Sequence, residues 1–474
     1  MLLVLLILIP LLGGILSFFL KTNAAAKNIA LLFSVATFAM SLCTLCHKGT
    51  LSLQADWLPQ LGSSFSLSLD GMAKMLCLLT TLTFPLVLTA TRANNYENEN
   101  SFYGLTLLIQ AGLLGVFLAS DVLLFYFFWE LALIPAYFLS SRWGGEQRIR
   151  AAFKFFVYTF AGSLLLLVGI LYLYFKTADH SFALQSFYQL KLTVQEQNLG
   201  FWLFFIAFAI KMPMFPFHTW QPNAYEQSPT PTTMLLSGIM AKMGLYAVVR
   251  WLLPVFPVAA HHFSHLIIVL SVIGILYASL IAIKVDDMKR LVAYSSIAHI
   301  GLMCAALFSH SEYGLQGALV QMFNHGINVV GLWIVVNVIE QQVGTRKFSE
   351  LGGLAQKAPT LAILFCVMVF ANVALPLTNA FVGEFLMFLG LFSYNVWAAA
   401  FACISIILGA VYSLWMMQKV FYGPLNAKTE LATDSSGAVN FSLIVIVILV
   451  IVGGVYPQPI LDLVKDTVQT VLVK

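Results

Sequence analysis

Charge is what this sequence has least of. Only 9% of its 474 residues are Asp, Glu, Lys or Arg, against roughly 25% in a soluble domain. With 60% hydrophobic residues, that excludes an ordinary water-soluble fold and makes lipid and neighbouring helices the main solvent. The formal net charge is +4, too small to suggest a nucleic-acid partner. Cysteine is scarce too: Cys43, Cys46, Cys77, Cys304, Cys366 and Cys403 include no four-cysteine iron–sulfur spacing. Cys43-Thr44-Leu45-Cys46-His47 does spell a c-type haem attachment pattern. A haem also needs a pocket and a second axial ligand, and only a short loop follows, which argues against haem; the other four cysteines are isolated in spans and read as small packing residues. His261, His262 and His265 are expected in an external loop with no carboxylate or cysteine beside them, which argues against a metal site. A dinucleotide glycine fingerprint and a Walker motif are both missing. The driving energy for any work must come from an ion gradient or from another chain.

Long apolar runs are what the sequence has instead. Fourteen are marked, near 2–20, 28–47, 71–91, 103–119, 121–140, 152–175, 199–225, 230–252, 263–283, 290–308, 314–338, 360–393, 395–421 and 438–456. The first has no basic start and no small-residue cleavage site, so it reads as a retained span and not a signal peptide. Fifteen of the 24 Lys and Arg fall in or beside the loops after odd-numbered runs. Six fall on the other side: Lys48, Lys176, Lys191, Arg250, Lys465 and Lys474. Lys74, Lys211 and Lys242 lie at or inside spans. The positive-inside rule makes the fifteen-residue side cytoplasmic and puts both termini outside, periplasmic in a Gram-negative bacterium.

Two runs are too long for one simple span and carry internal prolines. One holds FAIKMPMFPFHTW, with Lys211, Pro213 and Pro216; the other holds NVALPLTNAFVGEF, with Pro376 and Glu384. They lie five spans apart, and a repeat with an odd number of spans must insert upside down the second time. Inverted repeats with broken helices at mid-membrane are a transporter signature. The expected fold is an all-α polytopic membrane protein of about 14 transmembrane helices, with two inverted five-helix repeats and helices 7 and 12 broken. The expected units are helices 1–3 (residues 1–102), repeats at 103–252 and 263–421, and a last helix with its tail (438–474).

Four ionisable residues sit deep in these runs: Glu130, Lys211, Lys242 and Glu384. A charge at mid-bilayer costs about 2.5–3.5 kcal/mol on insertion scales, and buried ion pairs stabilise poorly compared with apolar packing. Such residues therefore point to function. Burial favours the neutral form of a lysine and a nearby carboxylate favours the charged form. Moving the carboxylate switches the lysine between holding and releasing a proton, and Glu130 is the natural candidate to act on Lys211. A proline break frees backbone groups that can hold water. His299 and His325 lie within spans, where a neutral imidazole can accept and donate at once. His218 stands beside the first break.

The segments FYFFWELALIPAYFLSSRWGG, RIRAAFKFFVYTFAGSLLLLVG, IKMPMFPFHTW, PTTMLLSGIMAKMGLYAVVR, DDMKRLVAYSSIAHIG and AFVGEFLMFLG occur in that order. Together they resemble the M-type antiporter-like membrane subunits of respiratory NADH–quinone oxidoreductase (complex I), which are related to multi-subunit Na⁺/H⁺ antiporters. The resemblance runs from about the third span to the thirteenth. It implies fourteen helices, two inverted five-helix repeats and broken helices 7 and 12. It implies that Glu130 modulates Lys211, and that Lys242, His299, His325 and Glu384 continue a hydrated proton path. It also implies that FMN, iron–sulfur clusters and quinone belong to partner subunits, this chain binding no cofactor. The partners implied are other membrane-arm subunits, including other antiporter-like chains, in a bacterial inner membrane. A cation/proton antiporter subunit is the alternative the resemblance leaves. One stretch departs: after HTW the family commonly reads L-P-D-A-H, and here Gln221-Pro222-Asn223-Ala224-Tyr225 stands. That removes an acid and an imidazole from a loop through which protons could pass.

Overall fold

The computed structural model describes residues 1–47 and 49–472; Lys48 and Lys474, two of the charges assigned above, lie outside the described residues. The chain opens with α1 (Leu2–Phe18) and α2 (Asn23–Leu45). A β-hairpin follows, β1 (Leu51–Leu58) and β2 (Ser63–Leu69), antiparallel with Leu51 opposite Leu69. Next come α3 (Gly71–Ala90), α4 (Glu99–Leu118), α5 (Val122–Trp143) and α6 (Arg148–Tyr174). A short α7 (Leu184–Tyr188) leads to α8 (Val194–Lys211), α9 (Gln221–Gln227) and α10 (Thr230–Leu252). Then come α11 (Pro257–Lys284), α12 (Met288–Leu307) and α13 (Glu312–Val343). The last are α14 (Pro359–Asn372), α15 (Asn379–Tyr394), α16 (Val396–Tyr422), α17 (Gly437–Val455) and α18 (Gln458–Leu472). Among the described residues, eleven helices are long and apolar enough to cross a membrane. The helical expectation holds and gains one hairpin.

Local chemistry sets the helix starts. Thr22, Asp70, Asp121, Asp287, Asn395 and Ser436 each accept a hydrogen bond from a backbone N–H in the first turn of the helix that follows. Thr193 and Glu196 form a reciprocal capping box at the start of α8. Asp121 does more: its carboxylate also accepts from Ser63 Oγ at 2.9 Å and Ser64 N at 3.0 Å, tying the hairpin to the α4–α5 turn. The hairpin escaped a reading tuned to apolar runs, because LSLQADWL and SSFSLSL are short and alternate in polarity.

The broken regions behave as the prolines suggest. α8 stops at Lys211 and helix resumes at Gln221; α14 stops at Asn372 and helix resumes at Asn379. His261, His262 and His265 are corrected: they occupy the first turns of α11 and not a loop, because Pro257 starts the helix earlier than the hydrophobic run implied. Within the tail, residues 458–472 form α18, a helix whose backbone sits hard against Gly71 at the start of α3.

The two ends of the bundle differ. At one end the hairpin, Ser120, Asp121 and Phe182 are joined by hydrogen bonds, and Arg250 Nη2 meets Asp70 Oδ2 at 2.7 Å. At the other, Arg346 reaches Glu226, Asp287 and Glu340, Lys289 meets Glu340 at 2.8 Å, and Arg290 meets Glu226 at 3.0 Å.

Candidate functional site

The deep charges fall into two groups. The first surrounds the break after α8. Lys211 is 2% exposed. Its Nζ stands 5.0 Å from the centroid of the Trp129 ring and has no hydrogen-bond partner among the described residues. Glu130, next to Trp129 on α5, likewise has a buried, unpartnered Oε1. The two residues do not form an ion pair within 4.0 Å. The indole face accepts the ammonium by a cation–π contact, worth about 2 kcal/mol when desolvated. Trp129 itself is fixed by its Nε1–H, which donates to Ser163 Oγ at 3.2 Å. Sequence reasoning passed over Trp129, although an aromatic directly beside a buried acid was a signal. Trp220 secures the break: its Nε1–H donates to the Ile210 carbonyl at 3.0 Å, one of the groups freed where α8 ends. His218 is buried nearby, its ring packed on Phe215 and Tyr277 and its Nδ1 without a partner.

The second group is a line of contacts, hydrogen-bonded at each end and joined in the middle by ring packing. Lys242 is fully buried in α10. Just before it the helix widens into a π-turn over Leu236–Met240, a distortion common at functional sites. Lys242 Nζ donates to the Ser237 carbonyl at 2.6 Å and to His325 Nδ1, on α13, at 2.8 Å. The ring of His325 faces that of His299 on α12, with centroids 5.3 Å apart. His299 Nδ1 lies 3.1 Å from Glu384 Oε1 on α15, and Gln321 Nε2 donates to the same oxygen at 3.4 Å. Four helices therefore contribute Lys242, His325, His299 and Glu384 in order. Beside His299 and Glu384 is a cavity with about 20 Å³ available to water centres, lined also by Ser279, Asn372 and Tyr412. That is room for about one water, with polar partners to hold it.

Small residues let these helices come close. A side chain on Gly244 would meet Met212 N and Phe208 O at 2.8 Å, so α10 passes directly behind the first break. Gly317 on α13 and Gly390 on α15 meet facing backbone in the same way, which brings Glu384 up to the α13 polar face. At the second break, Asn324 Nδ2 donates to Asn379 O at 2.7 Å and Asn328 Nδ2 to Asn379 Oδ1 at 3.0 Å. Gln321, Asn324 and Asn328 were missed. Their spacing with His325 in QMFNHGIN marks a polar helix face inside an apolar run.

The chemistry available is proton transfer. An ammonium has three donors and no acceptor, so His325 Nδ1 must be the unprotonated nitrogen while Lys242 is charged. Passing the proton across that 2.8 Å bond reverses the roles. His299 can relay between its Nδ1–H, bonded to Glu384, and its buried, unpartnered Nε2.

Residues 119–409 match the family model described as "NADH:quinone oxidoreductase/Mrp antiporter, TM". The chain belongs to the NADH:quinone oxidoreductase/Mrp antiporter family. It is 38% identical over 463 residues to NADH-quinone oxidoreductase subunit M of Rhodobacter capsulatus, covering 94% of this chain and 90% of the relative. Its fold matches a chain of respiratory complex I from Thermus thermophilus with a TM-score of 0.92 at 30% identity, over 99% of this chain and 100% of that one. A chain of the Mrp complex from Dietzia sp. DQ12-45-1b matches with a TM-score of 0.90 at 20% identity, over 99% and 97%, which shows the shared fold alone. Like other members of the NADH:quinone oxidoreductase/Mrp antiporter family, this chain is an integral, multi-pass membrane protein, similar to chains that work inside larger membrane complexes.

Proposed function

We propose that this chain is the antiporter-like, proton-translocating M-type membrane subunit of a respiratory NADH–quinone oxidoreductase. The observation that supports this most is the line Lys242–His325–His299–Glu384, buried in an otherwise apolar bundle, with Lys211 and Glu130 flanking a helix break. In this reading Glu130 and Lys211 form the input pair, Lys242 is the central relay, and the two histidines carry the proton to Glu384. Pro213, Pro216 and Pro376 keep the breaks open so that water can reach the line. The chain passes the membrane fourteen times, its five-helix repeats related by inversion, with both termini on the periplasmic side of a bacterial inner membrane. FMN, iron–sulfur clusters and quinone sit in partner subunits, and quinone reduction there drives the proton steps. The antiporter alternative has weaker support: the Mrp likeness is one of fold at 20% identity, against 30% for the complex I chain.

The test is proton uptake by inverted membrane vesicles carrying Lys211→Ala or Glu130→Ala in the assembled complex. Pumping should fall while the amount of assembled complex on native gels stays level. Unaltered uptake in both variants would sink the reading. Na⁺-dependent, quinone-independent uptake would support the antiporter instead.

A further inference from the structure

The relay leaves one large polar feature unused. A cavity of about 550 Å³ opens at the end of the bundle where Arg346 and Glu226 meet. Its lining includes Arg150, Lys154 and Arg290, with Glu226 the one acid among them. Glu226 is already taken by Arg290 at 3.0 Å and Arg346 at 3.4 Å. Arg150 and Lys154 have no carboxylate within 4.0 Å among the described residues; Lys154 Nζ donates to the Thr219 carbonyl at 2.7 Å. These cations sit in the first two turns of α6, at the positive end of the helix dipole, where basic residues are unfavourable unless an anion joins them. Asn223 and the Gln147 and Gln227 amides complete a lining suited to phosphate oxygens.

The second observation is the outer face of α6. Ile149, Phe153, Val157, Phe160 and Leu164 are each more than 40% exposed and recur every three or four residues, one apolar stripe descending from the cavity mouth. A free phosphate would have no use for that stripe. We propose that the cavity holds the phosphate of an anionic phospholipid whose acyl chains lie along the α6 stripe. Arg150 and Lys154 supply the charge, the amides orient the phosphodiester, and Phe153 and Val157 meet the first acyl carbons.

The test uses the assembled complex containing the full chain, delipidated in detergent and returned to nanodiscs with photoactivatable phosphatidylglycerol or the matching phosphatidylcholine. Phosphatidylglycerol should label α6 peptides preferentially. Arg150→Gln/Lys154→Gln should lower that label roughly tenfold, with assembly and quinone reductase activity unchanged. Excess phosphatidylglycerol should compete, and inorganic phosphate should not. The proposal is overturned by equal labelling from both headgroups, by labelling that survives the double substitution, by displacement with inorganic phosphate (a free-anion site), or by α6 crosslinking to a partner subunit in place of lipid.

Discussion

At the residue scale, the strongest feature is that each member of the buried line has a distinct partner. Lys242 is held by a carbonyl and an imidazole, and Glu384 by an imidazole and an amide. Glu384→Gln keeps the shape and removes the ionisable group. Proton pumping should drop at least about tenfold, since a positioned acid or base contributes on the order of 10²-fold or more to a proton transfer. Assembly should survive, because the amide can still bond His299 and Gln321. The readout is uptake per turnover in inverted vesicles, and normal coupling in Glu384→Gln would remove this residue from the path. The charged members of the line were legible in the sequence, since a charge inside an apolar run is conspicuous. Their neighbours Trp129, Gln321, Asn324 and Asn328 were not, because neutral polar and aromatic residues are ordinary in membrane helices and only the fold shows what they touch.

At the element scale, the line depends on two broken helices and on the glycines that let others pass behind them. Gly244→Ala would press a methyl group against the backbone of Met212 and Phe208. Overpacking of that kind costs about 1–3 kcal/mol, and here it would push α10, and with it Lys242, away from the break. The expected result is a lower melting temperature of the complex and weaker pumping. Gly437→Ala, whose added carbon meets nothing within 4 Å, should change neither. The second break makes its own prediction. Asn324→Ala removes the side-chain donor that ties α13 to the Asn379 carbonyl at the start of α15, a loss of about 0.5–1.5 kcal/mol. Increased protease sensitivity or hydrogen exchange at residues 372–379 would register the loss, and protection equal to wild type would show that the contact is dispensable. The existence of both breaks could be read from proline beside charge. The β-hairpin and α18 could not, since they are short or amphipathic and leave no long apolar run.

At the scale of the whole molecule, alternate connections gather at opposite ends. Lys27 bonds the 92–95 turn, Trp143 Nε1 donates to the Glu97 carbonyl, and Arg346 joins the connections near 226 and 287. These are the stretches that follow odd-numbered runs, and they carry most of the Lys and Arg. The hairpin meets the stretches near 120 and 182 at the other end. The charge tally and the packing thus agree on which loops share a face, though each draws on different information: one counts residues, the other pairs them. The positive-inside rule then predicts the sidedness, which can be measured. Cys43 and Cys46 are exposed and would react, so both are first replaced by serine. In that background Lys347→Cys should resist a membrane-impermeant maleimide added to intact cells, and Ala178→Cys should take it up. Both should label once the cells are permeabilised, which separates sidedness from shielding by partner subunits. The reverse pattern in intact cells would invert the chain and require protons to enter the Lys211 side from the periplasm.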